Sequence, residues 1–220
     1  KVKLGCFTVT FLKVSHSIAD AYALAIETPV GLILHTGDFK IDYTPLDGEM
    51  MDLAAFANLG RKGVQLLMSE STNSERPGYT MSEQRVAKSF DDLFGQATGR
   101  IFVATFASNV SRIQQIIKIA ERRGKKVYMG RSLERITEIA TEIGYLKMRK
   151  GTLLNDKQLD FIEPDQVVII TTGSQGEPLS GLVRISNDEH RTISIRPDDM
   201  VILSSSPIPG NEKAVTNMID

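Results

Sequence analysis

Two residues of this chain, Asp38 and His16, are of types that do metal-assisted hydrolysis and stand where such groups are useful. Asp38 closes the run Leu32-Ile-Leu-His-Thr-Gly-Asp38, in which an apolar segment that reads as a buried strand gives way to a Gly that permits a tight turn and then to the carboxylate. A carboxylate fixed at the end of a rigid strand can hold a cation while the loop beyond it leaves room for substrate. His16 lies in Ser15-His-Ser-Ile-Ala-Asp20, between two strand-like runs, so the two groups are expected at the edges of neighbouring strands. Each also has a plain structural use, Asp38 as a turn cap and His16 as a hydrogen-bonded strand-end residue.

The elements that must position them are legible from periodicity. Lys3 to Val14 alternates apolar and polar residues, and Ala21 to Glu27 and Leu32 to His35 give two more strand-like runs around a Pro29-Val-Gly31 turn, which together predict a meander. A helix from about Glu49 to Asn58, ending at Gly60, and a strand Val64 to Met68 follow. Thr80 and Glu83 form a capping-box pattern that opens a helix running to Gln96. Strand Ile101 to Thr105, helix Val110 to Arg123, strand Lys126 to Met129, helix Leu133 to Ile143 and strands Val167 to Thr171 and Met200 to Leu203 complete the pattern. Strands alternating with helices of this length predict a doubly wound parallel sheet, with the boundary between the two parts near Asn73 to Gly78. Arg149 to Pro164 is the least regular interior segment, and the last residues, Asn217 to Asp220, read as part of a helix.

Small polar residues recur where these strands end: Ser69 to Asn73, Thr105-Phe-Ala-Ser108-Asn109, Gly130-Arg131-Ser132, Thr171-Thr-Gly-Ser174-Gln-Gly176-Glu177 and Ser204-Ser-Ser206-Pro-Ile-Pro-Gly210. In an open parallel sheet such turns collect along one edge, where free N–H groups and helix N-termini favour anions. Arg112 and Arg131, near the starts of two helices, are candidates to add charge-assisted hydrogen bonds to phosphate. The same residue types also make ordinary caps and turns. No loop carries the phosphate-binding lysine motif or the dinucleotide glycine fingerprint, so a nucleotide cofactor is not indicated.

The bulk numbers set the frame. In 220 residues, 41% of them hydrophobic, there is material for one large domain or two small ones. A net charge of -1 provides no overall basic field, so a nucleic acid partner would have to be held by local groups. The single Cys6, in an alternating segment, fits a reducing compartment, and no apolar run is long enough to span a membrane; a cytoplasmic protein is expected. The chain begins in strand-like sequence without an initiator Met and reads as a piece of something longer.

Taken together, Ser15-His16-Ser-Ile-Ala-Asp20, His35-Thr-Gly-Asp38-Phe-Lys40, Ser69-Glu70-Ser-Thr-Asn73, Phe106-Ala-Ser108-Asn109, Thr172-Gly-Ser174-Gln-Gly176-Glu-Pro178 and Ser204-Ser-Ser206-Pro-Ile-Pro-Gly-Asn211 closely resemble the ribonuclease J family. That family belongs to the beta-CASP branch of the metallo-beta-lactamase superfamily. The resemblance implies an α/β fold, with residues 1–73 as part of a metallo-beta-lactamase αββα domain and 74–220 as most of an inserted, doubly wound beta-CASP domain. It also implies His16 as a metal ligand, Asp38 as the carboxylate bridging two divalent ions (zinc, with manganese as the alternative), and Glu70 as an orienting or proton-handling residue at the scissile phosphate. The polar loops, through Ser108, Asn109, Arg112, Arg131, Ser174, Gly176 and Ser206, would then track an RNA backbone.

The activity so implied is hydrolysis of RNA phosphodiesters, as a 5′-to-3′ exonuclease and an endonuclease, by a parent that forms dimers or tetramers. The His-x-His-x-Asp-His motif that supplies most of the family's ligands is absent from this chain, whose three histidines are His16, His35 and His190. The fragment is therefore expected to be catalytically incomplete. His35 and His190 read as structural. The alternatives are a beta-CASP nuclease acting on DNA or on mRNA 3′ ends, and a non-catalytic RNA-binding or assembly module.

Overall fold

The computed structural model describes residues 1–18, 20–45, 50–72 and 74–220. These divide into two compact units, Lys1–Val86 and Ala87–Asp220.

The first unit is built on one five-stranded sheet in the order β1 (Val2–Leu4), β2 (Phe7–Lys13), β3 (Tyr22–Thr28), β4 (Gly31–His35) and β5 (Leu66–Met68). The first four strands are antiparallel neighbours, and β5 joins β4 in parallel after the helix α1 (Leu53–Lys62). The expected meander is present, but Lys3 to Val14 is not one strand. Leu4 pairs with Phe7 across a two-residue turn in which Gly5 adopts φ 60°, so Cys6 lies exposed in the turn rather than in a strand.

Because side chains alternate along a strand, Leu12, Ala23, Ala25, Leu32 and Leu34 collect on one face, where Met51 and the α1 residues Phe56 and Leu59 cover them. Burying each leucine there is worth about 2 kcal/mol. Helix α1 starts later than its apolar spacing predicts: Asp52 caps it by accepting from the Ala55 N–H at 2.9 Å. Gly60 lies within the helix, which instead ends at Gly63, where φ is 92°. The predicted start at Glu49 lies outside the described residues.

Helix α2 (Glu83–Gln96) begins in the first unit and ends in the second. The Ser82 hydroxyl caps its first turn by accepting from Arg85 N–H at 3.3 Å, and the Glu83 carboxylate accepts from Lys40 Nζ at 2.6 Å. The Thr80 capping box expected from sequence is thereby replaced by a cap at Ser82 and a long-range ion pair.

The second unit contains five parallel strands, β6 (Ile101–Ala104), β7 (Lys126–Met129), β8 (Leu153–Leu154), β9 (Val167–Thr171) and β10 (Met200–Leu203), in the spatial order β10-β6-β9-β7-β8. Every residue of β6 and β9 is buried, which is why both read as unbroken apolar runs rather than as alternating ones. Helices α3 (Val110–Arg122) and α4 (Arg131–Glu142) follow β6 and β7, the short α5 (Asp156–Leu159) precedes β9, α6 (Gly181–Ser186) follows β9, and α7 (Glu212–Ile219) follows β10.

The chain steps from β6 outward to β7 and β8, then turns back to β9 and on to β10. This reversal is the switch point of a doubly wound sheet, and it brings the turns after β6, β9 and β7 side by side at the carboxyl edge. At the opposite edge, Arg100 pairs with Asp199, Nε to Oδ1 at 3.0 Å, and so ties the start of β6 to the start of β10.

Candidate metal and phosphate sites

In the first unit, one backbone link explains how two distant loops meet. Beyond β4 the chain returns to pair Lys40 with Ser15 in an isolated bridge, with Lys40 N–H donating to Ser15 O at 2.8 Å. His16 follows one residue of that bridge and Asp38 precedes the other, so His16 Nε2 comes within 3.9 Å of Asp38 Oδ2. Gly37 makes the intervening turn at φ 60°, where an added Cβ would stand 3.0 Å from Tyr22 O. His35 closes the same turn, its Nδ1 accepting from Gly37 N–H at 3.0 Å.

Glu70 reaches this region through Thr36. The buried Thr36 Oγ1 donates to Gly37 O at 2.8 Å and accepts from Glu70 N–H at 3.1 Å, while Thr36 N–H donates to Met68 O at 3.0 Å. One side chain thus fastens the loop of Glu70 to the turn that precedes Asp38. The Glu70 Oε2 accepts from Thr72 N–H at 2.7 Å, which sets the carboxylate against its own loop; Asn73, the end of that motif, lies outside the described residues, as does Ala19 of the His16 loop.

Below lies Asp42, a buried carboxylate that accepts from Thr44 N–H at 2.9 Å and from Glu83 N–H at 2.9 Å, with Lys40 Nζ 3.4 Å away. Burial raises its pKa, but the two N–H donors and the ammonium outweigh burial and hold it below the ordinary value of 3.8. Lys40 and Asp42 were not singled out by sequence reasoning. The alternation Asp38-Phe-Lys40-Ile-Asp42 was the available signal.

His16 and Asp38 carry the right donor chemistry for a divalent cation, and their separation lets one ion touch both. Among the described residues, no group of three or more His, Cys, Asp or Glu side chains gathers to hold a metal. The pair fits one edge of a coordination shell, not a closed site.

In the second unit the polar turns do collect at the switch point. Thr105 N–H donates to Thr171 O and Gly130 N–H to Ile170 O, both at 3.0 Å, and the Ser132 and Thr172 hydroxyls lie 3.2 Å apart. Gly181 N–H donates to Thr172 Oγ1 at 3.2 Å. Gly176 is packed so closely on α7 that a Cβ would come within 2.6 Å of the Ala214 backbone, and Ser174 is buried beside it with no hydrogen-bond partner for its hydroxyl among the described residues.

Asn109 serves as the cap of α3, its Oδ1 accepting from Arg112 N–H at 3.0 Å, while Ser108 next to it is exposed. Arg131 is the first residue of α4 and is largely exposed, 3.7 Å from Asp156 Oδ2. Ser206 is also exposed.

Arg112 is placed otherwise than expected. It is only 9% exposed, its guanidinium lies over the Phe90 ring at 5.7 Å, and its Nη1 donates to Ser204 O at 3.3 Å and to the Ser204 hydroxyl. The spacing of α3 turns Arg112 inward among Ile113, Ile116 and Ile117, so it supports the β10 turn from within instead of presenting its charge at the surface. Sequence reasoning also passed over Gln175, which the structure buries in the middle of the polar edge.

Beside this edge, a cavity of about 460 Å³ opens between α4 and β8, lined among others by Tyr128, Met129, Glu134, Thr137, Leu154 and Asp156. The Tyr128 hydroxyl donates to Asp156 Oδ1 at 2.8 Å, and burial together with that carboxylate pushes the phenol up to about 12. His190 uses Nδ1 to accept from Ile193 N–H at 3.2 Å, and burial followed by the Arg184 charge holds its pKa below 6.5.

These features define a class: an α/β protein with a largely antiparallel sheet carrying a strand-edge His and carboxylate, followed by a doubly wound parallel sheet with polar turns along its carboxyl edge. Residues 98–220 match the family described as ribonuclease J, beta-CASP domain, and the chain belongs to the ribonuclease J family. It is 49% identical over 215 residues to ribonuclease J of Thermus thermophilus, covering 97% of this chain and 37% of that protein. It is 48% identical to ribonuclease J of Synechocystis, covering 100% of this chain and 34% of that protein, and 48% identical to that of Mycolicibacterium smegmatis, covering 98% and 39%. The chain thus spans between about a third and two fifths of the length of these relatives. A crystal structure of an Enterococcus faecalis V583 protein of unknown function shares the fold, with a TM-score of 0.62 at 18% identity, over 99% of this chain and 57% of that one.

Proposed function

We propose that this chain is the segment of a metal-dependent ribonuclease that contributes part of the metal site and most of the RNA-tracking surface, residues 1–73 coming from a metallo-beta-lactamase domain and 74–220 from the beta-CASP domain. The observation that carries the reading is the approach of His16 Nε2 to Asp38 Oδ2 at 3.9 Å, in a chain 49% identical to a protein named ribonuclease J. The reaction is hydrolysis of RNA phosphodiesters, as a 5′-to-3′ exonuclease and an endonuclease in RNA processing and decay. Two divalent ions, zinc or manganese, would supply an activated water and offset charge on the phosphate oxygens.

The chain's own residues have distinct tasks. Asp38 offers two carboxylate oxygens and so can serve two cations, while His16 offers Nε2 to one of them. Glu70, with Oε2 tied to Thr72 N–H, would use Oε1 to orient the phosphodiester or take up a proton. Ser108, Arg131 and Ser206, exposed at the turns, meet the sugar-phosphate backbone; Asn109, Ser174 and Gly176 shape those turns, and Arg112 acts through Ser204. The parent works as a dimer or tetramer in the cytoplasm; among the described residues, no helix is long and apolar enough to cross a membrane.

A second reading, that the 220-residue chain alone is a non-catalytic RNA-binding module, is favoured by the two candidate ligands that meet among the described residues, where a metal site needs at least three. Metal analysis with a nuclease assay separates the two. The 220-residue chain should bind single-stranded RNA without cleaving it, whereas the longer protein should cleave; a longer protein that binds RNA but cleaves none under any divalent ion would sink the nuclease reading.

A further inference from the structure

The turn after β10, Ser204-Ser-Ser-Pro-Ile-Pro-Gly210, is poor in backbone donors of its own. Pro207 and Pro209 carry no N–H, which leaves Ile208 as the one donor between them. That donor is spent on a side chain from another turn: Ile208 N–H donates to Gln175 Oε1 at 2.7 Å. The other end of the same amide donates twice, Nε2 to the Ser205 hydroxyl at 2.8 Å and to Ser206 O at 3.0 Å. The Ser205 hydroxyl in turn donates to Ser174 O at 3.3 Å.

Gln175 is itself held rigidly. It is 2% exposed, its N–H donates to Glu177 Oε2 at 3.0 Å, and the next residue, Gly176, turns at φ 68° against the α7 backbone. Arg112 grips the base of the β10 turn at Ser204, and Gln175 grips its tip. The result is a turn with Ser206 exposed while Ser205 and the Ile208 N–H are turned inward.

We infer that Gln175 is a positioning residue for RNA engagement, fixing the tip of the Ser204–Gly210 turn so that Ser206 meets a backbone phosphate without first paying an ordering cost. This deepens the reading above and rests on it. A planar amide suits the task because it presents two donors and an acceptor in fixed directions to one turn, which neither a carboxylate nor a thioether of similar length can do. A ligand that finds the turn already ordered binds more tightly for the same contacts.

The test uses the full-length protein that carries this chain, a single-stranded oligoribonucleotide, and the variants Gln175→Met, Gln175→Glu and Ser206→Ala. Gln175→Met should raise KM about tenfold with kcat within about twofold, and Gln175→Glu, which keeps an acceptor for Ile208 N–H but loses both donors and sets a buried carboxylate against Ser206 O, should raise KM at least as far. Adding Ser206→Ala to Gln175→Met should cost less than in the wild type, because an unanchored turn no longer presents that hydroxyl. Exchange of the Ile208 amide should speed up in Gln175→Met. An unchanged KM in Gln175→Met overturns the inference, and a raised KM in Ser206→Ala alongside it would show the phosphate reading intact. Lower thermal stability in Gln175→Met with KM unchanged marks a purely structural amide and overturns it equally.

Discussion

The Nε2 of His16 stands 3.9 Å from the Oδ2 of Asp38 because the bridge between Ser15 and Lys40 draws their two loops together. The pair is thus set by backbone pairing, not by its own attraction, and Asp38 remains 75% exposed. An exposed pair of this kind contributes little to stability, so its residues are free to be selected for chemistry.

It follows that Asp38→Ala and His16→Ala should leave the fold intact while removing cleavage. In the full-length protein each should lower kcat/KM by roughly a thousandfold with a melting temperature within about 2 °C of wild type, measured by single-turnover cleavage and circular dichroism. Near wild-type turnover in Asp38→Ala would exclude it as a metal-bridging group.

Metal should do little for the 220-residue chain on its own. A ligand stabilises a fold only as far as its concentration exceeds its dissociation constant, and two protein donors bind weakly. Chelator or added zinc should shift the thermal midpoint of this chain by less than about 1 °C; a large rise with zinc would mean that further ligands are recruited.

The first unit should lose stability in acid through Asp42. Its folded pKa lies below the unfolded value near 3.8, so the unfolded chain binds the proton more readily, and the stabilisation present above that pH is lost as pH falls through the folded pKa. Asp42→Asn should lower stability at pH 7 and flatten the pH dependence of urea unfolding below about 4. An unaltered slope there would remove Asp42 as its source.

Arg112→Ala should act first on stability. It removes a buried guanidinium that donates to Ser204 and lies over Phe90, at an expected cost of about 2–3 kcal/mol in urea unfolding of the second unit. Lys should not rescue it, since an ammonium lacks the planar fork. RNA affinity should weaken with little change in the salt slope, which would drop by about one if Arg112 instead met a phosphate directly.

The sheet of the first unit should bind hydrophobic dyes. Cross-strand partners Val9, Ile26, Ile33 and Leu66 share the face opposite α1 with Phe11, Leu24 and Met68, and Phe11, Leu66 and Met68 are exposed. Phe11→Lys should reduce dye fluorescence and any self-association of the 220-residue chain, as read by analytical ultracentrifugation.

Much of this was written in local sequence. Ile101 to Ala104 and Val167 to Thr171 are unbroken apolar runs because those strands are buried on both faces, and Gly124 and Gly144 mark helix ends because each takes a positive φ there, 70° and 81°. The polar residues at the strand ends were equally plain, and so were His16 and Asp38 as groups at neighbouring strand edges. The two-residue β8 was not, since so short a strand has no period to detect.

What local sequence could not supply was partnership across the chain. Nothing in β9 announces that it inserts between β6 and β7, yet that order is what gathers the turns of Asn109, Arg131 and Ser174 at one edge. Nor does an arginine in the first turn of a helix reveal that it faces Phe90 and Ser204, or a glutamine in a glycine-rich turn that it holds Ile208. Hydrophobic period and turn chemistry are properties of neighbouring residues and can be read in order. Which hydrogen-bond donor finds which acceptor across tens of residues is decided only when strands pair and helices pack, and in this protein that step fixed the candidate sites.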